Sequence, residues 1–216
     1  MKESTLRALW RPWARLRRDT EDPIRAELFS VERLEQHAES LAAAQRVTRG
    51  ARRGRQLTRR LRANGRVLLA AYRDIGASIR EERIITPAAE WLVDNFHVVE
   101  EQIREIRDDL PRNFYRQLPK LANGPLRGNP RVFGLAWAFV AHTDSHFDPQ
   151  TLVRFVRAYQ RVQPLTIGEL WAVAITLRIV LVENMRRAAE QIVSARVARQ
   201  HADAIADRLL DSGDRE

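Results

Sequence analysis

The densest group of polar side chains is the segment His142–Asp148, in which His142, Asp144, His146 and Asp148 stand at every second position. Imidazole and carboxylate groups are common metal ligands. However, nothing in the segment fixes the geometry of a fourth ligand, and Asp148 precedes a proline in a pattern typical of a helix N-cap. The pattern therefore favours a polar connection between two helices over a metal site.

Adjacent carboxylates at Asp108 and Asp109 are a second candidate, because paired acids can bind the metal of a sugar nucleotide. Arg107 and Arg112 flank them, which favours ion pairing at the surface. The chain has no cysteine, which excludes a disulfide framework and a cysteine nucleophile. It also shows no Ser-His-Asp arrangement, P-loop or dinucleotide glycine motif. The sequence therefore predicts no catalytic residue, no metal and no cofactor.

A segment from Asn113 to Leu121 combines aromatic, cationic and amide side chains. Aromatic faces stack on sugar rings, and arginine and glutamine can bond to hydroxyl groups. Tyr115, Arg116 and Gln117 are therefore predicted contacts for a carbohydrate. In the alternative interpretation, the apolar residues of the segment anchor a loop to the core; they are Phe114, Tyr115, Leu118 and Leu121.

Positive charge is concentrated at the beginning of the chain. The net charge is +9, and residues 1–66 contain 17 Lys+Arg against 8 Asp+Glu, whereas residues 67–216 are neutral. This difference divides the chain into a predicted basic helical arm, 1–66, and a helical domain, 67–216. Nine arginines and no acid lie between Arg46 and Arg66.

Such a run attracts phosphates of anionic lipid or nucleic acid. The predicted contacts are Arg52, Arg53, Arg59 and Arg60. No aromatic residue lies in the run, which disfavours specific nucleic-acid recognition. A solvated helix face is an equally good interpretation of the charge.

Cap signals predict where several helices begin. An acid or threonine precedes proline at Asp22–Pro23, Thr86–Pro87 and Asp148–Pro149, and Thr166 with Glu169 matches a capping box. The first helix is expected to start at Asp22, another to run from Thr86 to about Asp109, and the last to run from Ile167 to about Leu210.

Apolar residues at spacings of three and four predict the buried faces of the helices. They are Ile24, Leu28, Val31, Leu34, Ala38 and Leu41; Leu57, Leu61, Leu68, Tyr72, Ile75 and Ile79; and Trp91, Leu92, Phe96, Val99, Ile103 and Ile106. Residues 132–141 are apolar enough for a buried helix, after a Pro/Gly-rich linking segment over 111–131. No strand alternation is found, so the predicted fold class is all-α: an irregular helical bundle with a long C-terminal helix.

The sequence also bears on location. The most apolar stretch, 170–182, is only about 13 residues long and contains Arg178, whereas a membrane span needs about 20 apolar residues. Arg7 and Arg11 interrupt the apolar residues near the start, which argues against a signal peptide. Together with the missing cysteines, these features predict a cytoplasmic location.

Long ordered strings occur between residues 84 and 187. They are Ala89–His97, Glu100–Ile106, Leu110–Pro111, Phe114–Leu121, Pro130–Val132, Gly134–Trp137, Ala141–Asp144 and Tyr159–Ala172. These strings resemble the N-terminal region of cyclic β-1,2-glucan synthases. The resemblance implies a large, multi-pass enzyme of the bacterial inner membrane that builds and cyclises β-1,2-linked glucan from UDP-glucose.

The resemblance also implies later parts that no residue of this chain matches: membrane spans, a glycosyltransferase domain and a phosphorylase-like domain. No catalytic residue can therefore be carried over. The leading hypothesis is a non-catalytic helical segment, or fragment, of such a synthase at the inner face of the membrane. Its partners would be the remaining membrane and transferase domains, together with anionic lipid. The alternative is a stand-alone helical adaptor that binds anionic membrane or nucleic acid through its arginines.

Overall fold

Helices dominate the computed structural model, which describes residues 21–48, 57–109 and 114–213. These residues form eight helices and one pair of two-residue strands, so the predicted all-α class is confirmed. The elements are α1 Val31–Ala44, β1 Val47–Thr48, α2 Leu57–Arg80, α3 Pro87–Asp94, α4 Phe96–Asp108, α5 Phe114–Gln117, β2 Lys120–Leu121, α6 Arg131–His142, α7 Pro149–Val162 and α8 Ile167–Gly213.

Three of the predicted helix starts are confirmed by their caps. The backbone N–H of Ala89 donates to Thr86 Oγ1 at 3.3 Å, and that of Thr151 donates to Asp148 Oδ2 at 2.7 Å. At the start of α8, the N–H of Glu169 donates to Thr166 Oγ1 at 3.3 Å, and the N–H of Thr166 donates to Glu169 Oε2 at 2.9 Å. The last pair is the reciprocal arrangement of a capping box.

The predicted start at Asp22–Pro23 is wrong, because α1 begins eight residues after Pro23, with Ser30 as its N-cap. The backbone donors in between find partners outside a helix. Ile24 N–H donates to Asn184 Oδ1 at 2.5 Å, and Ala26 N–H donates to the Ala141 carbonyl at 2.9 Å. These long-range bonds satisfy the backbone that a helix would otherwise satisfy. Leu28, which was expected to be buried, is exposed.

The single helix expected from Thr86 to Asp109 is two helices, because Asn95 separates α3 from α4. Its side-chain amide donates to the Trp91 carbonyl at 2.9 Å, and its backbone N–H bonds to the same oxygen at 3.0 Å. Leu92 and Ile106 are buried as predicted, whereas Trp91 is exposed.

Contacts divide the described residues into two compact units, and the first comprises residues 21–22, 67–96 and 186–213. Ala71, Ile75 and Leu92 are buried there, together with Leu68 and Ala89. The rings of Tyr72 and Phe96 stack with centroids 4.3 Å apart. Arg196 pairs with Asp74 in the same unit. The described residues between 23 and 66 lie in the second unit together with those between 97 and 185. The predicted division into a basic arm, 1–66, and a helical domain, 67–216, stays a prediction.

The second unit is built around α6. Ten of its twelve residues are buried, and the Phe139 ring lies 5.6 Å from that of Phe155 on α7. Ion pairs link α1 to α7: Arg154 Nε to Glu35 Oε1 at 2.6 Å, and Arg161 Nε to Glu39 Oε1 at 2.8 Å.

A short antiparallel ladder completes this unit, in which Val47 pairs with Leu121 and Thr48 pairs with Lys120. Two residues per strand are too few to show alternation in the sequence, so the ladder was not predicted.

The position of the first cap can be tested by substitution. Ser30→Ala removes the oxygen that accepts the Arg33 N–H at 3.3 Å, so we expect it to lower the free energy of unfolding by about 1 kcal/mol. Ser30→Asp should restore the loss, because aspartate caps equally well. Urea denaturation followed by circular dichroism measures both. If Asp22→Ala were more damaging than Ser30→Ala, the observed start of α1 would be wrong.

Candidate functional site

A buried ion pair joins the beginning of α6 to the beginning of α8. Arg131 Nη2 lies 2.5 Å from Glu169 Oε2, and Arg131 Nε lies 2.8 Å from Glu169 Oε1. Only 3% of Arg131 and 0% of Glu169 is exposed. Two parallel bonds between a guanidinium and a carboxylate are the strongest form of such a pair. Both charges are therefore compensated inside the second unit.

The rest of the Arg131 guanidinium is also bonded. Nη1 donates to Gln163 Oε1 at 2.8 Å, and Nη2 donates to the Pro164 carbonyl at 3.1 Å. Burial by itself lowers the pKa of Arg131, but its bonds to Glu169 and the Glu169 charge outweigh burial and raise the pKa above its ordinary value. The arginine is therefore a permanent cation that holds the turn between α7 and α8.

Tyr159 extends this network toward the end of α1. Its hydroxyl donates to Gln45 Oε1 at 2.7 Å and lies 3.2 Å from Gln163 Oε1. The Arg131 guanidinium lies over the Tyr159 ring, 5.8 Å from its centroid. Burial raises the pKa of Tyr159 to about 12. Gly134 allows β2 and the residue after α1 to lie close to α6. A Cβ at that position would lie 2.9 Å from Leu121 Cδ1 and 3.0 Å from Gln45 Nε2.

A second buried pair links α2 to the middle of α8. Arg60 Nη2 lies 2.6 Å from Glu183 Oε1, and Arg60 Nε lies 2.7 Å from Glu183 Oε2. Asn64 Nδ2 donates to Glu183 Oε2 at 2.7 Å. The side chain of Arg60 is 14% exposed and that of Glu183 only 1%. Both buried carboxylates of this unit thus accept from arginine, and both positions are structural.

The four arginines predicted to contact an anionic surface do not share one environment. Arg52 and Arg53 lie outside the described residues. Arg59 is exposed, whereas the Arg60 guanidinium is directed at Glu183 and its charge is already paired. Arg62 and Arg66 are exposed and follow Arg59 at spacings of three and seven, so these three share the outer face of α2.

The three predicted glucan contacts also differ in their surroundings. The Tyr115 hydroxyl lies 3.0 Å from Thr176 Oγ1, and the side chain packs against a cluster that contains Leu118 and Val132. Burial raises its pKa to about 12. Arg116 and Gln117 are exposed. The contacts of Tyr115 agree with the anchoring interpretation, and a glucan contact through Tyr115, Arg116 and Gln117 remains a prediction.

The polar segment His142–Asp148 connects α6 to α7, as predicted. His142 Nδ1 lies 2.7 Å from the Glu27 carbonyl, and Asp144 pairs with Arg25 at 2.7 Å. Asp148 is occupied as a cap, and its bonds to Thr151 lower its pKa. Within the described residues, no group of three or more His, Asp or Glu side chains is placed to hold a metal ion.

Asp109 forms the expected surface ion pair, although its partner is Arg178 on α8, 3.4 Å away, and neither of the neighbouring arginines. The pairing is distant in sequence, so the flanking residues gave no indication of it. Gln102 Oε1 accepts from the same guanidinium at 2.8 Å.

Sequence inspection did not identify Arg131, Glu169 and Glu183 as paired residues. A signal was present for two of them. Arg131 starts an otherwise apolar helix, and Glu183 follows the apolar run of α8, so each charge would need a buried partner. For Glu169, the capping box is sufficient to explain an acid at this position, so the sequence does not indicate its pairing with Arg131. Which partner each charge takes depends on tertiary packing.

A comparison with proteins of known function finds the cyclic β-(1,2)-glucan synthase NdvB of Rhizobium meliloti strain 1021. It is 41% identical to this chain over 199 residues, which cover 92% of the chain. The match lies in the N-terminal region of that synthase and spans 7% of its length. The predicted resemblance is therefore confirmed, and it extends beyond residues 84–187. No family model matches the chain.

In the described part of the chain, no helix combines the length and the apolar composition that crossing a bilayer requires.

The Arg131–Glu169 pair can be tested by a double-mutant cycle. Glu169→Gln keeps an oxygen for the capping box but leaves the Arg131 charge unpaired, so we expect a loss of about 3 kcal/mol in the free energy of unfolding. Arg131→Met combined with Glu169→Gln should cost clearly less than the sum of the two single losses. If urea denaturation shows that the loss in the double variant equals the sum of the two single losses, the pairing is contradicted. The exposed pair Arg161–Glu39 serves as the control and should show a far smaller coupling.

Alkaline pH provides a second test. The pKa of Tyr115 and Tyr159 is raised to about 12 in the folded chain, whereas an unfolded tyrosine ionises near pH 10. Between these values the unfolded state loses protons that the folded state keeps, so stability should fall as the pH rises from about 10 to about 12. Tyr159→Phe should make this fall less steep. An ultraviolet titration that shows Tyr159 ionising near pH 10 would contradict its burial.

Proposed function

We propose that this chain, a homologue of the N-terminal region of a cyclic β-(1,2)-glucan synthase, is a non-catalytic helical module of a glycosyltransferase that makes glucan from UDP-glucose. The observation that carries this proposal is the match, which covers 92% of this chain but 7% of the synthase. A module of this size is a small part of the enzyme, and the remaining domains of the synthase would be its partners.

The use of the buried acids supports a structural role. A sugar-nucleotide site needs carboxylates that are free to bind a metal or a hydroxyl group. Glu169 and Glu183 are the buried acids of the described residues, and arginine occupies both oxygens of each. Their charges serve to fix α8 against α6 and α2. In this proposal the module orients or regulates the synthase at the cytoplasmic face of the inner membrane.

An activity assay tests the proposal directly. The purified chain should form no glucan from UDP-glucose, whereas the Rhizobium meliloti synthase, assayed in parallel, should form it. When the chain is co-expressed with that synthase lacking its matched N-terminal segment, glucan synthesis should rise above the level of the truncated synthase alone. Glucan formed by the isolated chain would contradict the non-catalytic role, and no rise on co-expression would contradict the module.

A second candidate function rests on the outer face of α2. Arg59, Arg62 and Arg66 are exposed on one side of the helix, while Arg60 lies on the opposite side with Glu183. Basic residues near an anionic bilayer contribute roughly 1 kcal/mol each. This face is therefore suited to contact with anionic lipid, as a means of holding the module at the membrane surface.

Vesicle flotation tests this contact. The chain should bind vesicles of phosphatidylcholine that contain about one third phosphatidylglycerol at low salt. Replacing Arg59, Arg62 and Arg66 by Gln should weaken binding about tenfold or more. Arg104, Arg107 and Arg157, which are exposed elsewhere, provide a control triple with the same loss of charge. If both triples weaken binding equally, net charge alone is responsible and the proposed face is wrong. Binding to duplex DNA but not to vesicles would also contradict it.

A further inference from the structure

The first turns of α8 display an apolar face to solvent. Ile167 is 77% exposed, Leu170 is 40% exposed and Trp171 is 80% exposed. Their spacing of three and four residues places them on one side of the helix. Large apolar side chains are common on surfaces singly, but an exposed tryptophan with two aliphatic neighbours forms a patch of the kind that binds a partner.

The first turns of α8 contribute no exposed charge. Between Pro164 and Leu177 the only ionisable residue is Glu169, which is buried against Arg131. The first charge beyond it, Arg178, is paired with Glu105 and Asp109. A complementary surface would therefore have to be apolar and uncharged, because a charged group placed on this face would lose its hydration without gaining a partner.

The fold does not need the exposed side chains. The inner side of the same helix already packs in the core through Ala172 and Val173, which contact a cluster containing Leu118 and Val132. The capping box and the Arg131–Glu169 pair fix the first turn. The apolar face is thus held in position before any partner binds, which reduces the entropy lost on binding.

The size of the face limits the partners that it suits. Its three side chains expose on the order of 400 Å², whereas each partner in a stable complex of independent chains buries roughly 800 Å². A second copy of this chain would therefore associate weakly through this face alone. A surface of this size is sufficient where the partner is held nearby at a high effective concentration, as domains of one enzyme are.

We propose that Ile167, Leu170 and Trp171 form the surface through which this module docks on an apolar, uncharged surface of another domain of the synthase. The inference rests on the proposed function, because it takes the partner from the synthase, most of whose length lies outside the matched region. The indole of Trp171 would enter a pocket of the partner, where its N–H needs a hydrogen-bond acceptor.

Co-purification tests the docking face. The tagged chain is co-expressed with the Rhizobium meliloti synthase lacking its matched segment, and the fraction of synthase retained by the tag is measured. Ile167→Ser with Trp171→Ser should reduce retention about tenfold or more, as expected for a central aromatic contact. Ile84→Ser with Trp91→Ser is the matched control, because Ile84 is 89% exposed and Trp91 is 54% exposed in the other unit. Retention by the control should equal that of the unchanged chain.

The outcomes separate the docking face from the proposed function. Equal helical content and thermal midpoints would show that both double variants fold. If the unchanged chain and both variants retain the synthase equally, the docking face is wrong and the module proposal stands. If the unchanged chain retains no synthase, both proposals fail. Flotation of the free chain with phosphatidylcholine vesicles, or a dimer seen by sedimentation, that is lost only in the Ile167/Trp171 variant would assign this face to lipid or to a second copy and overturn the inference.

Discussion

The pairing of Arg131 with Glu169 is the constraint on which the second unit depends. Removing two charges from water is costly, and the cost is offset only when each charge finds a complete set of partners. The turn between α7 and α8 supplies Gln163 Oε1 and the Pro164 carbonyl to the guanidinium. Glu169 also accepts the N–H of Thr166. The same interaction therefore determines where α8 begins and which of its sides faces solvent.

The position of each arginine around the axis of α2 decides whether it faces the interior or solvent. Arg60 and Asn64 face inward and bond to Glu183, whereas Arg59 and Arg62 face outward. Consecutive residues on a helix point about 100° apart, so neighbouring arginines of one run can have opposite roles. The basic run of this region thus contains both an internally paired arginine and arginines that face solvent. Net charge alone could not distinguish them.

Two exposed surfaces, the apolar face of α8 and the basic face of α2, bear on the proposed role of the chain. In the proposed role, a chain that matches 7% of a synthase would need surfaces for the remaining domains. The described residues place an apolar face on α8 and a basic face on α2, both in the second unit. The buried acids of that unit, Glu169 and Glu183, are paired with arginine, which is consistent with the proposed role in binding and positioning.

The sequence by itself determined the fold class, three helix starts and most buried positions, because helix period and caps act within a few residues. Asp148 and Thr166 cap where predicted. Only the tertiary structure decided that residues 24–29 bond to distant side-chain and backbone oxygens instead of forming a helix. It also decided that Trp91 and Trp171 are exposed and that Arg131 pairs with Glu169. These outcomes depend on partners about 40 to 160 residues away, and local patterns carry no information about them.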